Sequence, residues 1–505
     1  MKLLLKILTL ALVSSLFGWM AFLSFLGGEW VMALIFTLII ILSNFIYFSK
    51  KRAAVKFLFP GLIFLVIFTV TPVIYTTYMS GYIYKIGNLV TKEEATTQLI
   101  EQVGVVPDEN GTLFEMYPGL IGDRQGAVFI DFADQTVWFG IGDEARKLSD
   151  AEYRIDDETG LPKPDGFTFL SEQEILDQES DIAKARYQVD DQFFILAQDT
   201  TTAGLFTQTL FYDEASDSIR EPATGKIFIN NGAGNFANRD LPEEMLMPGW
   251  REKTWFSNYG EILTNKNLRD PFIRVLIWTV SFSFITVAMM FFVGLILAIA
   301  LDKRIRFRNF YRGILILPYA MPSFMSILIW AGIFNREYGA INVILGLDVN
   351  WLDSAWLARG VLLLVNLWLG FPYFYLIATG ALQALPKDLE EAASIDGASG
   401  PQIFWRIKLP LILQILSPLL VASFAFNFNN FNLVYLLTGG GPTNVLEGER
   451  AGATDILITF AYKVAFSAND QDYGLASTIS VVVFLIVGVL SLWSLKRSRV
   501  LEEIK

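Results

Sequence analysis

The segment Glu391-Ala392-Ala393-Ser394-Ile395-Asp396-Gly397-Ala398, which continues through Phe404, Ile407 and Leu409 to Pro410, is a short polar passage between two long apolar runs. Helical spacing puts Ala392, Ala393, Ile395 and Ala398 on the buried side of a short helix, with Glu391 and Asp396 on or near its wet side. Gly397 interrupts such a helix or allows a close turn. Arg406 and Lys408 follow, and Pro410 opens the next apolar run, where a missing N–H costs nothing. A polar helix-turn-helix beneath a membrane domain serves as a docking element; the same residues also read as an ordinary cytoplasmic loop.

Eight apolar runs long enough to cross a bilayer flank this passage. Three come early: Ile7 to Leu26, Trp30 to Phe48 and Leu58 to Met79. Five come later: Ile273 to Ala300, Ile314 to Phe334, Ala358 to Leu382, Leu411 to Leu437 and Tyr473 to Leu495. Lys2 and Lys6 give the first run the look of a signal peptide. The second run follows at once and no clear small-residue cleavage site intervenes, so a retained span is expected.

Basic residues set the expected orientation. Lys2 and Lys6 precede the first span, and Lys50, Lys51, Arg52 and Lys56 lie between the second and third. Lys303, Arg304, Arg306, Arg308 and Arg312 follow the fourth, Lys387, Arg406 and Lys408 flank the Glu-Ala-Ala passage, and Lys496, Arg497, Arg499 and Lys505 follow the last. All of these fall on one side if the N-terminus is cytoplasmic and the spans alternate. Residues 81–270 then face outward. They hold 35 acidic and 16 basic residues, a net of −19, while the rest of the chain has a net of +7. One acidic soluble domain is thus inserted into a basic membrane protein.

Within that domain, Ala127 to Phe132 and Thr136 to Phe139 read as paired strands around an Ala-Asp-Gln turn. Tyr187 to Val189 pairs with Phe193 to Leu196 around Asp190-Asp191, and Gly225 to Ile229 is a further strand. Glu172 to Ala185 reads as a helix capped by Ser171. The expected fold is an all-α polytopic membrane protein of eight transmembrane helices, with a mostly β domain between helices 3 and 4. Its parts are 1–80 (three helices), 81–270 (the outer domain) and 271–505 (a five-helix core carrying the loop 386–410).

Composition excludes several functions. The chain of 505 residues is 53% hydrophobic and only 18% charged, which is too apolar for a soluble protein of this size. It has no Cys and no His, so disulfides, thiolate chemistry, imidazole catalysis and His-based metal sites are ruled out. No dense basic face suits a nucleic acid. Thr438-Gly439-Gly440-Gly441-Pro442 is not a P-loop, because the following Gly-Lys-Ser/Thr is missing. Gly294 and Gly488 read as helix-packing residues.

Polar residues deep in apolar runs mark a bundle interior or a cavity. Three patches qualify: Pro318-Tyr319-Ala320-Met321-Pro322-Ser323, Asn366 to Tyr373, and Asn427, Asn429 and Asn430 among phenylalanines. Gly370 and Pro372 are expected to loosen their helix. Amides beside aromatic rings suit a neutral sugar, with rings on its apolar face and amides on its hydroxyls. The same Asn residues also read as bonds between helices.

The spacing Glu391-Ala392-Ala393, three residues, Gly397, then nine residues to Ile407-x-Leu409-Pro410 resembles the EAA loop of ABC importer permeases. From the first span to the last, the chain resembles the larger permease subunits of maltose/maltodextrin ABC importers. That resemblance implies a bacterial inner-membrane protein with cytoplasmic termini and a periplasmic domain. It implies no cofactor on this chain, with ATP and Mg used by two copies of a separate ATPase subunit. Its implied partners are a second permease, a periplasmic solute-binding protein, and maltose or maltodextrin as cargo. It implies sugar contacts at Tyr319, Ser323, Asn366, Gly370, Tyr373, Phe426, Asn427 and Asn430, and ATPase coupling at Glu391, Ala392, Ala393, Gly397 and Pro410. An ion-coupled sugar transporter and a membrane-anchored receptor are the competing expectations. The absence of intramembrane Asp, Glu or Lys and of an obvious inverted repeat counts against the first.

Overall fold

Long apolar runs fold as long helices because each backbone polar group is then satisfied within its own segment. In the computed structural model, which describes residues 2–49, 53–190, 192–302, 306–443, 450–467 and 471–497, the chain opens with α1 (Lys2–Leu26) and α2 (Trp30–Phe48). They form a helical hairpin, tied by Asn44 Nδ2 donating to Ser14 Oγ at 2.9 Å and by the Phe17 and Phe36 rings 6.0 Å apart. Next come α3 (Ala53–Leu65) and α4 (Thr71–Met79), joined by a π-turn over Val66–Val70. Pro72 accounts for that turn. Its ring would crowd the carbonyl four residues back, and a wider turn relieves this while Thr71 N–H bonds to Val66 O. Lys50, Lys51, Arg52, Lys303, Arg304, Arg499 and Lys505, part of the basic pattern, lie outside the described residues, as does Asp191.

The chain divides into two compact units, one of them made mainly of Tyr82–Thr254. This unit is β-rich. Its first helix is α5 (Lys92–Gln98), where the Glu94 carboxylate accepts from Thr91 N–H at 2.9 Å in a capping box. A nine-stranded sheet and a four-stranded sheet follow. In the larger, Arg124–Asp131 pairs antiparallel with Val137–Ile141, placing Phe129 opposite Trp138. Arg186–Gln188 pairs with Phe193–Ala197, placing Tyr187 opposite Ile195. The smaller sheet contains Lys226–Asn230. Phe114, Phe129, Tyr187 and Ile195 centre one buried cluster, and Phe228, Phe236 and Trp250 another. The single helix expected over Glu172 to Ala185 is two short ones, α6 (Glu172–Asp177) and α7 (Glu179–Ile182). The Glu174 carboxylate accepts from both the N–H and the hydroxyl of Ser171.

The other unit continues with α8 (Ser257–Thr264) and α9 (Lys266–Asp302), then α10 (Arg308–Ala320), α11 (Ser323–Ile333), α12 (Ala340–Leu345) and α13 (Ala355–Ala384). It ends with α14 (Lys387–Ile395), α15 (Gly400–Ile403), α16 (Leu409–Phe428), α17 (Phe431–Thr438), α18 (Leu457–Phe466) and α19 (Tyr473–Arg497). The 37-residue α9 is the axis and contributes to three buried clusters: one with α16, α18 and α19, a second with α13 and α16, and a third with α11, α13 and α17. Gly294 lets α13 approach, because a Cβ there would collide with the backbone of Phe374 and Tyr375. Gly488 faces open space, so it is no packing residue within this chain.

Among the described residues, six helices are long and apolar enough to cross a membrane, or seven if the α10–α11 pair is one span. Two expected spans are broken. The run Ile314 to Phe334 bends by 92° between α10 and α11. Pro322 occupies the N-cap of α11, where it ends one helix and starts the other. The run Leu411 to Leu437 breaks at Asn429-Asn430, and Asn430 Oδ1 accepts from Leu433 N–H to cap α17. By contrast, α13 stays helical through Gly370 and Pro372, so the expected loosening is absent.

The turn after α17 is anchored by a residue whose importance the composition hid. Asp455 is fully buried and accepts from Gly452 N–H, Thr459 Oγ1 and Lys463 Nζ, the last at 2.7 Å. A Cβ at Gly440 would strike its carboxylate. Asp455→Ala removes the acceptor of Gly452 N–H and the partner of Lys463, while Thr459 Oγ1 keeps Ile456 O, so it is expected to destabilise the protein by about 3 kcal/mol. Thermal unfolding and the yield of folded protein check this. An unchanged midpoint and yield would show the pair to be dispensable.

Candidate functional site

Broken helices bring polar ends to membrane depth, and here both breaks meet. The α10–α11 bend, the middle of α13 and the α16–α17 break enclose a cavity of about 560 Å³. Tyr319, Ser323, Asn366, Gly370, Tyr373, Phe426, Asn427 and Asn430 all line it. The structure thus brings together all eight residues singled out in sequence. Asn429 lies apart, its amide turned back toward Ala425 O. Among the described residues, no charged side chain lines the cavity.

These side chains divide by what they already hold. Asn366 Nδ2 donates to Asn427 Oδ1 at 2.7 Å, and Asn427 Nδ2 donates to Ser423 O at 2.8 Å. Both residues are buried and lock α13 to α16, so the packing role and the lining role coincide. Tyr319 and Phe426 are open, Phe426 being 69% exposed. The Tyr319 and Tyr373 rings, both in the cavity wall, stack on each other with centroids 6.4 Å apart. Gly370 leaves room for Met290, whose terminal methyl a Cβ would displace. Such a wall offers flat apolar surface beside amide and hydroxyl groups, the chemistry of a neutral polyol. Sequence reasoning missed Met290 and Asn432, which also line the cavity. Asn432 was legible in principle, as the next polar residue after the Asn430 cap.

The second candidate is the Glu-Ala-Ala segment. Glu391, Ala392 and Ala393 lie on α14, and Gly397 follows at φ +82° in the left-handed turn. Ser399 then starts α15, held by the Gln402 side chain. The expected buried side is only partly buried. Ala393 and Ala398 are half-covered, while Ala392 is exposed and Ile395 is 86% exposed. Among the described residues, Ala392 and Ile395 are left uncovered. Pro410 stands near the start of its apolar helix, as expected. It stands in the first turn of α16, just beyond a π-turn over Phe404–Lys408 that joins α15 to α16. As at Pro72, the wider turn absorbs the proline. Lys408 Nζ lies 2.6 Å from the Glu390 carboxylate, tying the far end of the segment back to its first helix. A polar cavity of about 380 Å³ lies between these residues and the ends of α9 and α13.

The family described as binding-protein-dependent transport system inner membrane component matches residues 267–497, which contain both candidate sites. The maltose/maltodextrin transport system permease protein MalF of Vibrio vulnificus (strain YJ016) is 33% identical over 524 residues, covering 99% of this chain and 96% of that protein. MalF of Escherichia coli (strain K12) is 32% identical over 509 residues, covering 98% of this chain and 96% of that protein. A solved bacterial ABC transporter involved in alginate import is also similar, at 19% identity and a TM-score of 0.41, over 48% of this chain and 83% of that one. With a third of its residues shared along nearly its whole length, the chain belongs to the MalF family of maltose/maltodextrin transport system permease proteins.

Proposed function

We propose that this permease subunit of an ABC sugar importer passes maltose or maltodextrins from periplasm to cytoplasm by alternating access, with the neutral cavity as its share of the translocation site. The observation that carries the reading is the cavity wall itself. Amides, hydroxyls and rings converge where two helices break, without a charge to match an ion or relay a proton. Tyr319, Ser323, Tyr373, Phe426 and Asn430 contact the sugar directly, while Asn366 and Asn427 present their remaining polar groups from a fixed frame. Gly370 makes room for Met290 in the wall.

The partners follow from the same reading. A second permease completes the pore, and a periplasmic binding protein delivers the sugar. Two ATPase subunits consume ATP with Mg, and one receives the α14–α15 segment, covering Ala392 and Ile395. Ion-gradient-driven transport is the competing reading. Reconstituted uptake separates the two: sugar should enter proteoliposomes only with ATP and the ATPase subunits, and entry driven by an ion gradient alone would overturn the proposal.

The proposed layout has eight spans, counting α2 and the bent α10–α11 pair. Residues 1–80 supply three, 81–270 lie in the periplasm, and 271–505 supply five, with 386–410 and both termini in the cytoplasm. The chain has no Cys, so Ser149→Cys and Ser399→Cys report separately. An impermeant thiol reagent should label Ser149→Cys in spheroplasts with intact inner membranes and Ser399→Cys only after lysis. The opposite pattern would invert the layout.

A further inference from the structure

Where α17 leaves the cavity, its solvent-facing side carries Phe431, Asn432 and Tyr435. Asn432 lines the cavity, and among the described residues its side chain makes no hydrogen bond. Phe431 and Tyr435 stack nearly parallel, 5.0 Å apart and 16° from coplanar. Tyr462 of α18 stands edge-on to both, at 5.1 Å and 5.3 Å. Phe466 continues the row 5.0 Å beyond Tyr462. Tyr435, Tyr462 and Phe466 are all exposed, at 42%, 37% and 60%. A continuous strip of ring surface therefore starts at the cavity lip and runs away from it along α17 and α18.

We propose that this strip is an extended subsite for the part of a maltodextrin that does not fit inside the cavity, with Asn432 joining the two. The proposal rests on the cavity being the sugar site. Three features favour an oligosaccharide. The strip is continuous with the cavity, the free Asn432 amide can both donate to and accept from hydroxyls at the junction, and two rings carry hydroxyls of their own. Flat rings with polar edges suit the apolar faces of successive sugar units. A short sugar is held by the cavity alone, and a long one gains from the strip, so the strip sets preference for chain length.

The test uses the reconstituted complex with the binding protein saturated by each sugar in turn. ATP-driven uptake of the two-unit sugar maltose is compared with that of the seven-unit sugar maltoheptaose. Tyr435→Leu and Tyr462→Leu keep apolar bulk but lose the flat ring and hydroxyl. Each is expected to lower the maltoheptaose-to-maltose uptake ratio by roughly threefold to tenfold, with maltose uptake within about twofold of wild type. Asn430→Ala serves as the cavity control and should lower uptake of both sugars. If it lowers neither, the cavity reading itself fails. If it lowers both but the Leu variants leave the ratio unchanged, the cavity stands and the strip is overturned. Loss of complex assembly in the Leu variants would likewise overturn it, by showing a subunit contact; Tyr435→Phe and Tyr462→Phe, which keep the rings, should then restore assembly.

Discussion

Replacing Gly397 by Asp is expected to abolish sugar uptake, by at least about a hundredfold, while the membrane helices still fold. Two effects are available, and the structure separates them. A residue with a Cβ pays about 1–2 kcal/mol at the left-handed φ of +82°. Steric collision adds nothing within the chain, because no atom lies within 4 Å of where the Cβ would sit. Strain alone therefore predicts that Gly397→Ala is the worse variant, since Asp tolerates this conformation better than Ala. Docking predicts the reverse, because Asp puts a charge on a turn that must fit an ATPase cleft. The measurement is ATPase co-purification together with sugar-stimulated ATP hydrolysis. Ala worse than Asp would leave only the strain; both near wild type would remove the segment from coupling.

The second large effect belongs to the asparagine pair. Asn366→Ala and Asn427→Ala should each lower the complex's sugar affinity by about tenfold to a hundredfold, the cost of roughly 1–3 kcal/mol for a buried hydroxyl left unpaired. Each variant also strips a buried amide of its partner across α13 and α16, so assembly yield has to be measured beside binding. Asn430→Ala is the cleaner companion, since that side chain is only half-buried and its cap on Leu433 is long, at 3.4 Å. Normal affinity in all three would return the asparagines to a purely structural role.

What the sequence disclosed, and what it withheld, follows from the range of the forces involved. Apolar length alone exposed most spans, and strand alternation exposed the hairpins around Phe129 and Tyr187, because those signals are local. Polar residues within apolar runs exposed the cavity wall, since burying an amide is costly unless something answers it. The breaks at Pro322 and Asn430 were not legible, because whether a proline bends a helix depends on its neighbours. Pro372 leaves α13 unbroken, whereas Pro322 sits at a 92° bend. Asp455 escaped notice because its cation stands eight residues on, and only the fold closes the loop between Gly440 and Gly452. Ile395 was expected to be buried by its helical spacing, yet it is 86% exposed, because spacing alone does not say what packs against that side of α14.

Ser323 offers the most direct test of passage through the cavity. It lies on the cavity wall, is exposed, and can be replaced by the only cysteine in the chain. Labelling of Ser323→Cys by an impermeant thiol reagent would be followed in the reconstituted complex, from each side of the membrane, with and without ATP and saturating maltose. The account predicts that the side from which the thiol is reached changes with nucleotide state, and that maltose protects it. Labelling indifferent to both nucleotide and sugar would contradict it, and the sugar would have to pass elsewhere.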